Sequence, residues 1–225
     1  MQLTSYETAS EMMQSLSAQI ASELSAAIVL RGRACLAVPG GSTPGPLFDL
    51  LSQAALDWAN VTVMLTDERW VPTDSPRSNT GLIKNRLLVN SASAARYIAL
   101  YAPGLDHVGG ARALSQQVAP NLPIDVVVLG MGADMHTASL FPGAPELSLA
   151  QDARADAVMP MVPVGPDLEP RVTLSAQALE TARQTHVLII GEDKKTALAQ
   201  AQSLSPIDAP IAQFLPNATV HWSPV

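Results

Sequence analysis

The sequence lacks the features that mark secreted and membrane proteins. Its 225 residues include one cysteine, Cys35, so an internal disulfide cannot form and a reducing compartment is favoured. No apolar run reaches the ~18 residues that a membrane-spanning helix needs. The first residues carry neither a basic segment nor an apolar one, so we expect no secretory signal. These absences predict a soluble, cytoplasmic protein without a membrane partner.

The sequence also has few basic residues, and its histidines are not spaced like metal ligands. There are 13 Lys and Arg against 20 Asp and Glu, which gives a net charge of -7. Because no basic stripe is present, we do not expect a nucleic-acid partner. The four histidines do not share the spacing of metal ligands, so we expect no metal site. An anionic small molecule stays compatible with this charge, because local arginines and helix N-termini can outweigh it.

The apolar pattern predicts an α/β protein. Hydrophobic residues make up 48% and charged residues 15% of the chain, which is enough for a sizeable core. Predicted strands cover 34–38, 61–65, 97–100, 124–129, 158–162, 172–174, 185–190 and 219–222. Predicted helices cover 10–30, 44–56, 79–88, 109–118, 176–182, 194–204 and 210–215. This alternation favours a mostly parallel sheet with helices on both faces.

The chain shows no sign of division into domains. It has no internal repeat, no low-complexity tract and no segment with the character of a linker, so we expect one domain over residues 1–225. Apart from the strand predicted at 158–162, the proline-rich segment 140–170 reads as loop.

The segment 125–142 carries the most specific local pattern. A buried strand, 125–129, is predicted to stop at Gly130, and a glycine-rich turn then delivers His136. Ligands of open α/β sheets collect outside the carboxyl ends of the strands, so a histidine there is a candidate for proton chemistry. A lone histidine is more often structural. His136, however, has Asp134 two residues before it, and the other histidines have poorer contexts.

Ser139 follows His136 closely and could suggest a nucleophile with its base. The sequence lacks the G-x-S-x-G pattern of a nucleophile elbow. The two residues are also too close in sequence to ensure a useful geometry, so we give this interpretation little weight.

Two further polar clusters follow predicted strands. The segment 39–45 places glycines, Ser42 and Thr43 before a predicted helix, which suits a phosphate, although an ordinary turn with an N-cap would look the same. It is neither a Walker A loop nor a G-x-G-x-x-G fingerprint, so a nucleotide is not implied. The triplet 67–69 taken alone favours a solvated loop. As a second cluster at a strand end, it makes Arg69 a candidate to hold an anion or stabilise an oxyanion.

Basic residues in the second half are weaker candidates. Arg171 precedes a short apolar strand, and Lys194 and Lys195 open a predicted helix. Basic groups at a helix start oppose the helix dipole, so an anionic ligand could explain the two lysines. Solvated surface lysines are the commoner explanation.

Four blocks of sequence, in this order, resemble the 6-phosphogluconolactonase family. They are Pro39-Gly-Gly-Ser-Thr-Pro, Asp67-Glu-Arg with Val71-Pro and Ser78-Asn, Leu129-Gly-Met-Gly-Ala-Asp-Met-His-Thr-Ala-Ser-Leu-Phe-Pro, and Arg171-Val-Thr-Leu. The lysines near 194 extend the match over most of the chain. The resemblance implies hydrolysis of the lactone of 6-phosphogluconate, the second step of the oxidative pentose phosphate pathway, without metal or organic cofactor. It also implies a three-layer, Rossmann-like α/β fold.

The resemblance also implies roles for individual residues. His136 matches the general base, and Arg69 matches an arginine near the reacting carboxyl end. From the chemistry of lactone hydrolysis, and not from the resemblance, we expect the N–H groups of turn 130–132 to join Arg69 at the oxyanion and Asp67 or Asp134 to orient the imidazole. Residues that match substrate-contacting positions are Gly40, Gly41, Ser42 and Thr43, and those that match basic positions near the phosphate are Arg171 and either Lys194 or Lys195.

One position departs from the family pattern. Many members have glycine where this chain has Met135, and glycine tolerates a positive φ that methionine adopts poorly. Either the turn needs no positive φ, or His136 is aimed somewhat differently.

Two alternative functions stay open. Glucosamine-6-phosphate deaminase has a similar fold and a related histidine turn, although the triplet 67–69 and the block after His136 suit the lactonase better. A non-catalytic sugar-phosphate sensor would bind 6-phosphogluconate and give no rate above the spontaneous one. In each case the expected partner is a small-molecule sugar phosphate, and the protein is expected to be a monomer or small homo-oligomer.

Overall fold

The computed structural model describes residues 1–163 and 168–225, which form ten strands and seven α-helices. The strands are β1 (Gln2–Ser5), β2 (Ala34–Val38), β3 (Val61–Leu65), β4 (Asp67–Arg69), β5 (Arg96–Ile98), β6 (Val126–Gly130), β7 (Val158–Met161), β8 (Arg171–Leu174), β9 (Gln184–Ile190) and β10 (Ala218–Ser223). The helices are α1 (Ala9–Arg31), α2 (Gly45–Ser52), α3 (Asn79–Arg86), α4 (His107–Val118), α5 (Leu147–Ala150), α6 (Ala176–Glu180) and α7 (Glu192–Ala201).

A seven-stranded parallel sheet in the order β1-β10-β9-β6-β2-β3-β5 forms the centre of the fold. All five residues of β2 are buried, and so are the first four of β6, as expected for a sheet that is covered on its faces. Helices complete the layers, with α1 packed against β2 and β10 and α7 against β9. The predicted α/β fold with a mostly parallel sheet is confirmed.

The strand order places a crevice between β2 and β6. From β2 the chain moves outward to β3 and β5 on one side, and it later returns to build β6, β9 and β10 on the other. The order of the strands therefore reverses between these two neighbours. Such a switch point is where open α/β sheets bind ligands, outside the carboxyl ends of the strands.

A second sheet, β4-β8-β7, is antiparallel and was not predicted. The charged triplet Asp67–Arg69, expected to be loop, forms its strand β4 and pairs with β8. Three adjacent charged residues have no apolar alternation, so the sequence carries no local signal for this strand.

Other differences concern the limits of the elements. Strand β1 was not predicted, α2 ends at Ser52 rather than near residue 56, and α7 begins at Glu192 rather than 194. The proline-rich segment 140–170 contains helix α5, which was not predicted, while β7 matches the strand predicted at 158–162. Its residues 164–167 lie outside the described part. The helix predicted at 210–215 is a pair of short 3-10 turns.

Helix α1 shows how local sequence sets an element. Thr8 caps its first turn by accepting a hydrogen bond from the Glu11 N–H at 3.2 Å, and Gly32, with φ of 73°, ends it. Its buried face includes Leu16, Ile20 and Leu24. Although α1 has 23 residues, no helix in the described ranges is both long and apolar enough to span a bilayer.

Candidate active site

A cleft of about 300 Å³ opens at the switch point between β2 and β6, within the size range of small-molecule sites. The residues that line it are Pro39, Gly40, Gly41, Ser42, Thr43, Pro44, Asp67, Arg69, Asn79, Gly130, Met131, Gly132, His136, Ala138, Arg171, Leu188 and Lys194. The structure thus brings together most of the residues singled out from the sequence. Asp134 and Lys195 are not among those that line the cleft.

His136 is paired with Asp134. The two side chains approach to 2.5 Å between Nδ1 and Oδ1. This hydrogen bond is the main reason why the pKa of Asp134 lies below its ordinary value. Since a carboxylate only accepts, the proton of a neutral imidazole lies on Nδ1, and Nε2 is left as the basic nitrogen. Phe141 packs on the ring at a centroid distance of 4.8 Å.

The backbone of the histidine turn is left-handed at Met135, where φ is 65°. The alternative that the turn needs no positive φ is therefore wrong, and methionine accepts a conformation that costs roughly 1–2 kcal/mol. The turn is closed by hydrogen bonds from Met135 N–H to Gly132 O at 3.0 Å and from Gly132 N–H to His136 O at 2.9 Å. The Gly132 N–H is consequently occupied, contrary to the expectation that it would face an oxyanion.

Gly132 is required by the position of the imidazole. A Cβ atom built there would lie 2.3 Å from His136 Nδ1 and 2.4 Å from Asp134 Oδ1. The His136–Asp134 pair therefore lies directly against this part of the backbone, where only glycine fits.

Asp67 contacts Ser139 and lies near Arg171. Ser139 is fully buried and donates to Asp67 Oδ2 at 2.6 Å, and Arg171 Nη1 lies 3.8 Å from the same oxygen. Of the two carboxylates proposed to orient the imidazole, the structure places Asp134 in contact with His136. Ser139 is positioned as a support for Asp67, which argues against its being a nucleophile.

Arg69 and Arg171 are opposed across strands β4 and β8. Arg69 Nη1 donates to the Arg77 carbonyl at 2.5 Å, while the Nε atoms of both arginines are buried without a hydrogen-bond partner among the described residues. Burial lowers the pKa of Arg171, Asp67 acts in the opposite direction, and Arg69 lowers it further. Arg171 thus has a nearby carboxylate, Asp67, and a second guanidinium group, Arg69, beside it.

Glu68, between these site residues, is fully buried. Its carboxylate accepts five hydrogen bonds, from the N–H groups of Arg69, Asn79 and Thr80 and from the hydroxyls of Ser78 and Thr80, at 2.7–2.9 Å. It therefore satisfies the N-terminal N–H groups of α3 and joins that helix to β4. This role was not predicted, because the sequence hints at it only through the polar residues Ser78 and Asn79 about ten positions after Glu68.

The glycine-rich segment after β2 is a loop rather than a cap. Helix α2 begins at Gly45 with Pro44 before it and no side-chain capping bond, so the alternative that Ser42 or Thr43 serves as an ordinary N-cap is wrong. Both hydroxyl-bearing residues are exposed at the cleft. Gly41 has φ of 88°, a conformation that favours glycine.

The two lysines of α7 point to different places. Lys194 lines the cleft, and its Nζ donates to the Met131 carbonyl at 2.6 Å. Lys195 Nζ lies 3.5 Å from the centroid of the Trp222 ring, in a cation–π contact. Both follow the acidic residues Glu192 and Asp193 in the first turn. The lysine available to a ligand is therefore Lys194.

The cleft combines positive charge with a basic nitrogen. Arg69, Arg171 and Lys194 face one carboxylate, Asp67, which favours an anionic ligand. His136 can take up a proton beside them. Over residues 1–163 and 168–225, no three His, Cys, Asp or Glu side chains form a group that could hold a metal ion.

Comparison with known proteins places the chain among sugar-phosphate enzymes. Residues 7–222 match the family model of glucosamine-6-phosphate isomerases/6-phosphogluconolactonase. The chain is 39% identical to a 6-phosphogluconolactonase of Rhizobium meliloti over 226 residues, 97% of each protein. It is also 39% identical to one of Pseudomonas aeruginosa over 222 residues, 96% of this chain and 92% of the relative.

Solved structures agree with the sequence matches. A crystal structure of a 6-phosphogluconolactonase from Shewanella baltica superposes with a TM-score of 0.94 at 38% identity, covering 99% of this chain and 97% of that one. A monomeric glucosamine-6-phosphate deaminase superposes with a TM-score of 0.83 at 19% identity, covering 99% and 97%. The second likeness shows a shared fold alone.

Proposed function

This chain belongs to the glucosamine-6-phosphate isomerase/6-phosphogluconolactonase family, and we propose that it hydrolyses 6-phospho-D-glucono-1,5-lactone to 6-phospho-D-gluconate in the oxidative pentose phosphate pathway. The observation that carries this proposal is the convergence of the His136–Asp134 pair with Arg69, Arg171 and Lys194 at one cleft. The curated relatives that carry the name 6-phosphogluconolactonase match nearly the whole chain.

The proposed reaction needs one base and one oxyanion site. His136 Nε2 removes a proton from water as the water oxygen attacks the lactone carbonyl carbon. The carbonyl π electrons move onto oxygen, and Arg69 stabilises the resulting anion. When the tetrahedral intermediate collapses, the bond from the carbonyl carbon to the ring oxygen breaks. The imidazolium then returns its proton to that oxygen, so no net proton stays on the enzyme.

Asp134 supports both states of the imidazole in this scheme. Its carboxylate accepts the Nδ1 proton at 2.5 Å, which presents Nε2 to water and stabilises the imidazolium that forms. A δ-lactone is an activated ester, so we propose that neither a metal ion nor a covalent enzyme intermediate takes part.

The phosphate is proposed to bind Arg171 and Lys194, assisted by the hydroxyls of Ser42 and Thr43. Guanidinium and ammonium groups are strong partners of phosphate oxygens. Binding this remote group fixes the sugar relative to His136 and so provides positioning for the attack.

The test is hydrolysis of freshly prepared 6-phosphogluconolactone, followed by coupling the product to its dehydrogenase and subtracting the spontaneous rate. Wild type should exceed that background, and His136→Ala should reduce kcat by about 100-fold or more. His107→Ala, at the start of α4, is the matched control and should retain wild-type activity. Wild-type turnover in His136→Ala would contradict the assigned role.

The same assay separates the two alternative functions. A glucosamine-6-phosphate deaminase would release ammonia from the amino sugar phosphate, which we expect this protein not to do. A non-catalytic sensor would bind 6-phosphogluconate and leave the lactone to hydrolyse at its spontaneous rate.

A further inference from the structure

The side chain of Asn79 lies between strand β4 and the loop after β2, which both line the cleft. Asn79 is the first residue of α3, and its side-chain amide lies against Gly40 of the loop after β2. A Cβ atom on Gly40 would lie only 2.0 Å from the amide carbon of Asn79 and 2.1–2.2 Å from its oxygen and nitrogen. Gly40 thus leaves the space that this amide fills.

The orientation of the amide follows from its hydrogen bond. Asn79 Nδ2 donates to the Asp67 carbonyl at 3.1 Å. A carbonyl oxygen only accepts, so the amide nitrogen must face Asp67 and Oδ1 must point elsewhere.

The remaining oxygen is open to the cleft. Within the described residues, Asn79 Oδ1 accepts no hydrogen bond, although only 4% of the residue is exposed. Unlike the unpaired polar atoms of Arg69, Glu146, Arg171 and Gln213, which are fully buried, this oxygen keeps some exposure. Since Asn79 lines the cleft, its oxygen keeps its remaining access there.

This acceptor is held in a fixed position. The Asn79 N–H donates to Glu68 Oε1 at 2.8 Å, and the bond to Asp67 fixes the far end of the side chain. Both partners belong to β4, so Asn79 is held to the strand that carries Arg69 at two points, once through its backbone and once through its side chain. A rigid acceptor costs little conformational entropy when a ligand binds.

The other polar groups of the cleft make such an acceptor useful. Arg69, Arg171 and Lys194 are donors only. In the Asp67 carboxylate, Oδ2 accepts from Ser139 at 2.6 Å and Oδ1 accepts from the Thr66 hydroxyl at 3.4 Å. The hydroxyls of a sugar lactone need acceptors as well as donors. A neutral amide oxygen supplies one without adding a negative charge beside a phosphate and a developing oxyanion.

We infer that Asn79 is a substrate-contacting, specificity-determining residue whose Oδ1 accepts a hydrogen bond from one hydroxyl of the sugar-lactone ring. The inference rests on the proposed function, because the lactone ring supplies that hydroxyl. It explains why the loop after β2 has glycine at position 40.

The contact between Asn79 and the hydroxyl is tested by removing each partner separately and then both together. Wild type and Asn79→Ala are compared on 6-phosphogluconolactone and on its 2-deoxy, 3-deoxy and 4-deoxy forms. Asn79→Ala should lower kcat/KM on the full lactone by about 3- to 10-fold, the range of one neutral hydrogen bond. One deoxy lactone should lose a similar factor with wild type, and the two enzymes should hydrolyse that lactone at nearly equal rates.

A second variant serves as the control, and two different outcomes would contradict the inference and the proposed function. Asn85→Ala, at an exposed position of the same helix, should match wild type on all four lactones. If Asn79→Ala lowers the rates on all four by one common factor, its role is structural and the inference is wrong. No rate above background with wild type on any lactone would instead overturn the proposed function.

A crystal structure of wild type with 6-phosphogluconate gives a test that does not depend on how the variant folds. Asn79 Oδ1 should lie within about 3.2 Å of a sugar hydroxyl. A sugar bound with no hydroxyl within hydrogen-bond reach of that oxygen would overturn the inference.

Discussion

Arg69 and Arg171 are directly opposed residues on the antiparallel strands β4 and β8. Directly opposed residues place their side chains on the same side of a sheet, and like charges there are destabilising. Asp67, 3.8 Å from Arg171, compensates for only part of this charge. The pair is therefore arranged to gain stability from an anion, which suits a phosphorylated substrate.

The first prediction is that 6-phosphogluconate stabilises the protein through Arg171. At about 100 times its Kd the ligand should add about 2.7 kcal/mol, which raises Tm by roughly 5–10 °C for a chain of this size. Arg171→Met should lose most of this shift because the anion loses a charged partner. The measurement is thermal unfolding with and without ligand.

Gluconate, which lacks the phosphate, serves as the control ligand and should shift Tm much less. An Arg171→Met protein that keeps the full shift with 6-phosphogluconate would remove Arg171 from the binding site.

The second prediction concerns Asp134. In Asp134→Asn, the side-chain amide can donate to His136 Nδ1, which moves the imidazole proton to Nε2 and blocks the basic nitrogen. We expect kcat to fall by about 100-fold or more, as for loss of the general base, with little change in KM, because Asp134 does not line the cleft.

The variant Asp67→Asn distinguishes the role of Asp67 from that of Asp134. Because Asp67 contacts Ser139 and lies near Arg171 rather than His136, this variant should weaken substrate binding and so raise KM. Equal effects of the two variants on kcat alone would contradict this division of roles.

The third prediction concerns Glu68. Glu68→Gln puts an amide nitrogen among five donors, so at least one buried N–H or hydroxyl loses its partner. The loss of charged hydrogen bonds should destabilise the protein by about 2–4 kcal/mol, measured by urea unfolding.

Glu11→Gln, on an exposed part of α1, provides a matched control for the third prediction and should change stability by less than about 0.5 kcal/mol. Unaltered stability in Glu68→Gln would show that the carboxylate is not required to hold α3 against β4.

Much of the central fold could be predicted from the sequence, because the patterns that indicate its strands are local. Buried parallel strands such as Ala34–Val38 and Val126–Gly130 are short apolar runs, and each is halted by a glycine-bearing turn. The position of His136 beyond the end of β6 follows from these two features alone. The general rule for parallel sheets then predicts a ligand site outside the carboxyl ends of the strands, whereas the strand order that places the crevice between β2 and β6 was not predicted.

The features that were not predicted depend on contacts between residues that are distant in the sequence. Strand β4 exists because Asp67–Arg69 pairs with residues about a hundred positions later, which no local pattern records. The choice between Lys194 and Lys195 depends on the rotation of α7, since successive helical residues point about 100° apart. Likewise, the choice of Asp134 over Asp67 depends on the left-handed backbone at Met135.

The last prediction concerns a buried chain of hydrogen bonds away from the cleft. Glu23 contacts His186 at 2.8 Å, His186 contacts His221 at 3.1 Å, and His221 contacts the Tyr6 hydroxyl at 2.9 Å. Every link is satisfied if both imidazoles are neutral and each group donates towards Glu23. The chain ties α1 and the segment after β1 to strands β9 and β10.

Protonation of His221 would place a charge in this buried chain, and the Tyr6 hydroxyl would then have to accept from the Nδ1–H instead of donating to Nδ1. The pKa of His221 is lowered to about 4, mainly by burial and in smaller part by the neighbouring His186. In the unfolded chain the pKa of a histidine is about 6.5. Between these values the unfolded state binds the proton and the folded state does not, so stability falls as the pH drops from about 6.5 towards 4.

This group should contribute on the order of 3 kcal/mol to the loss of stability across that window. In His221→Phe, unfolding free energies measured by urea titration from pH 7 to pH 4 should vary less steeply than in wild type. The variant should also be less stable at pH 7, because Tyr6 and His186 lose a partner. His107→Ala, at a partly exposed position, should keep the wild-type slope. An unchanged slope in His221→Phe would show that the acid sensitivity arises elsewhere.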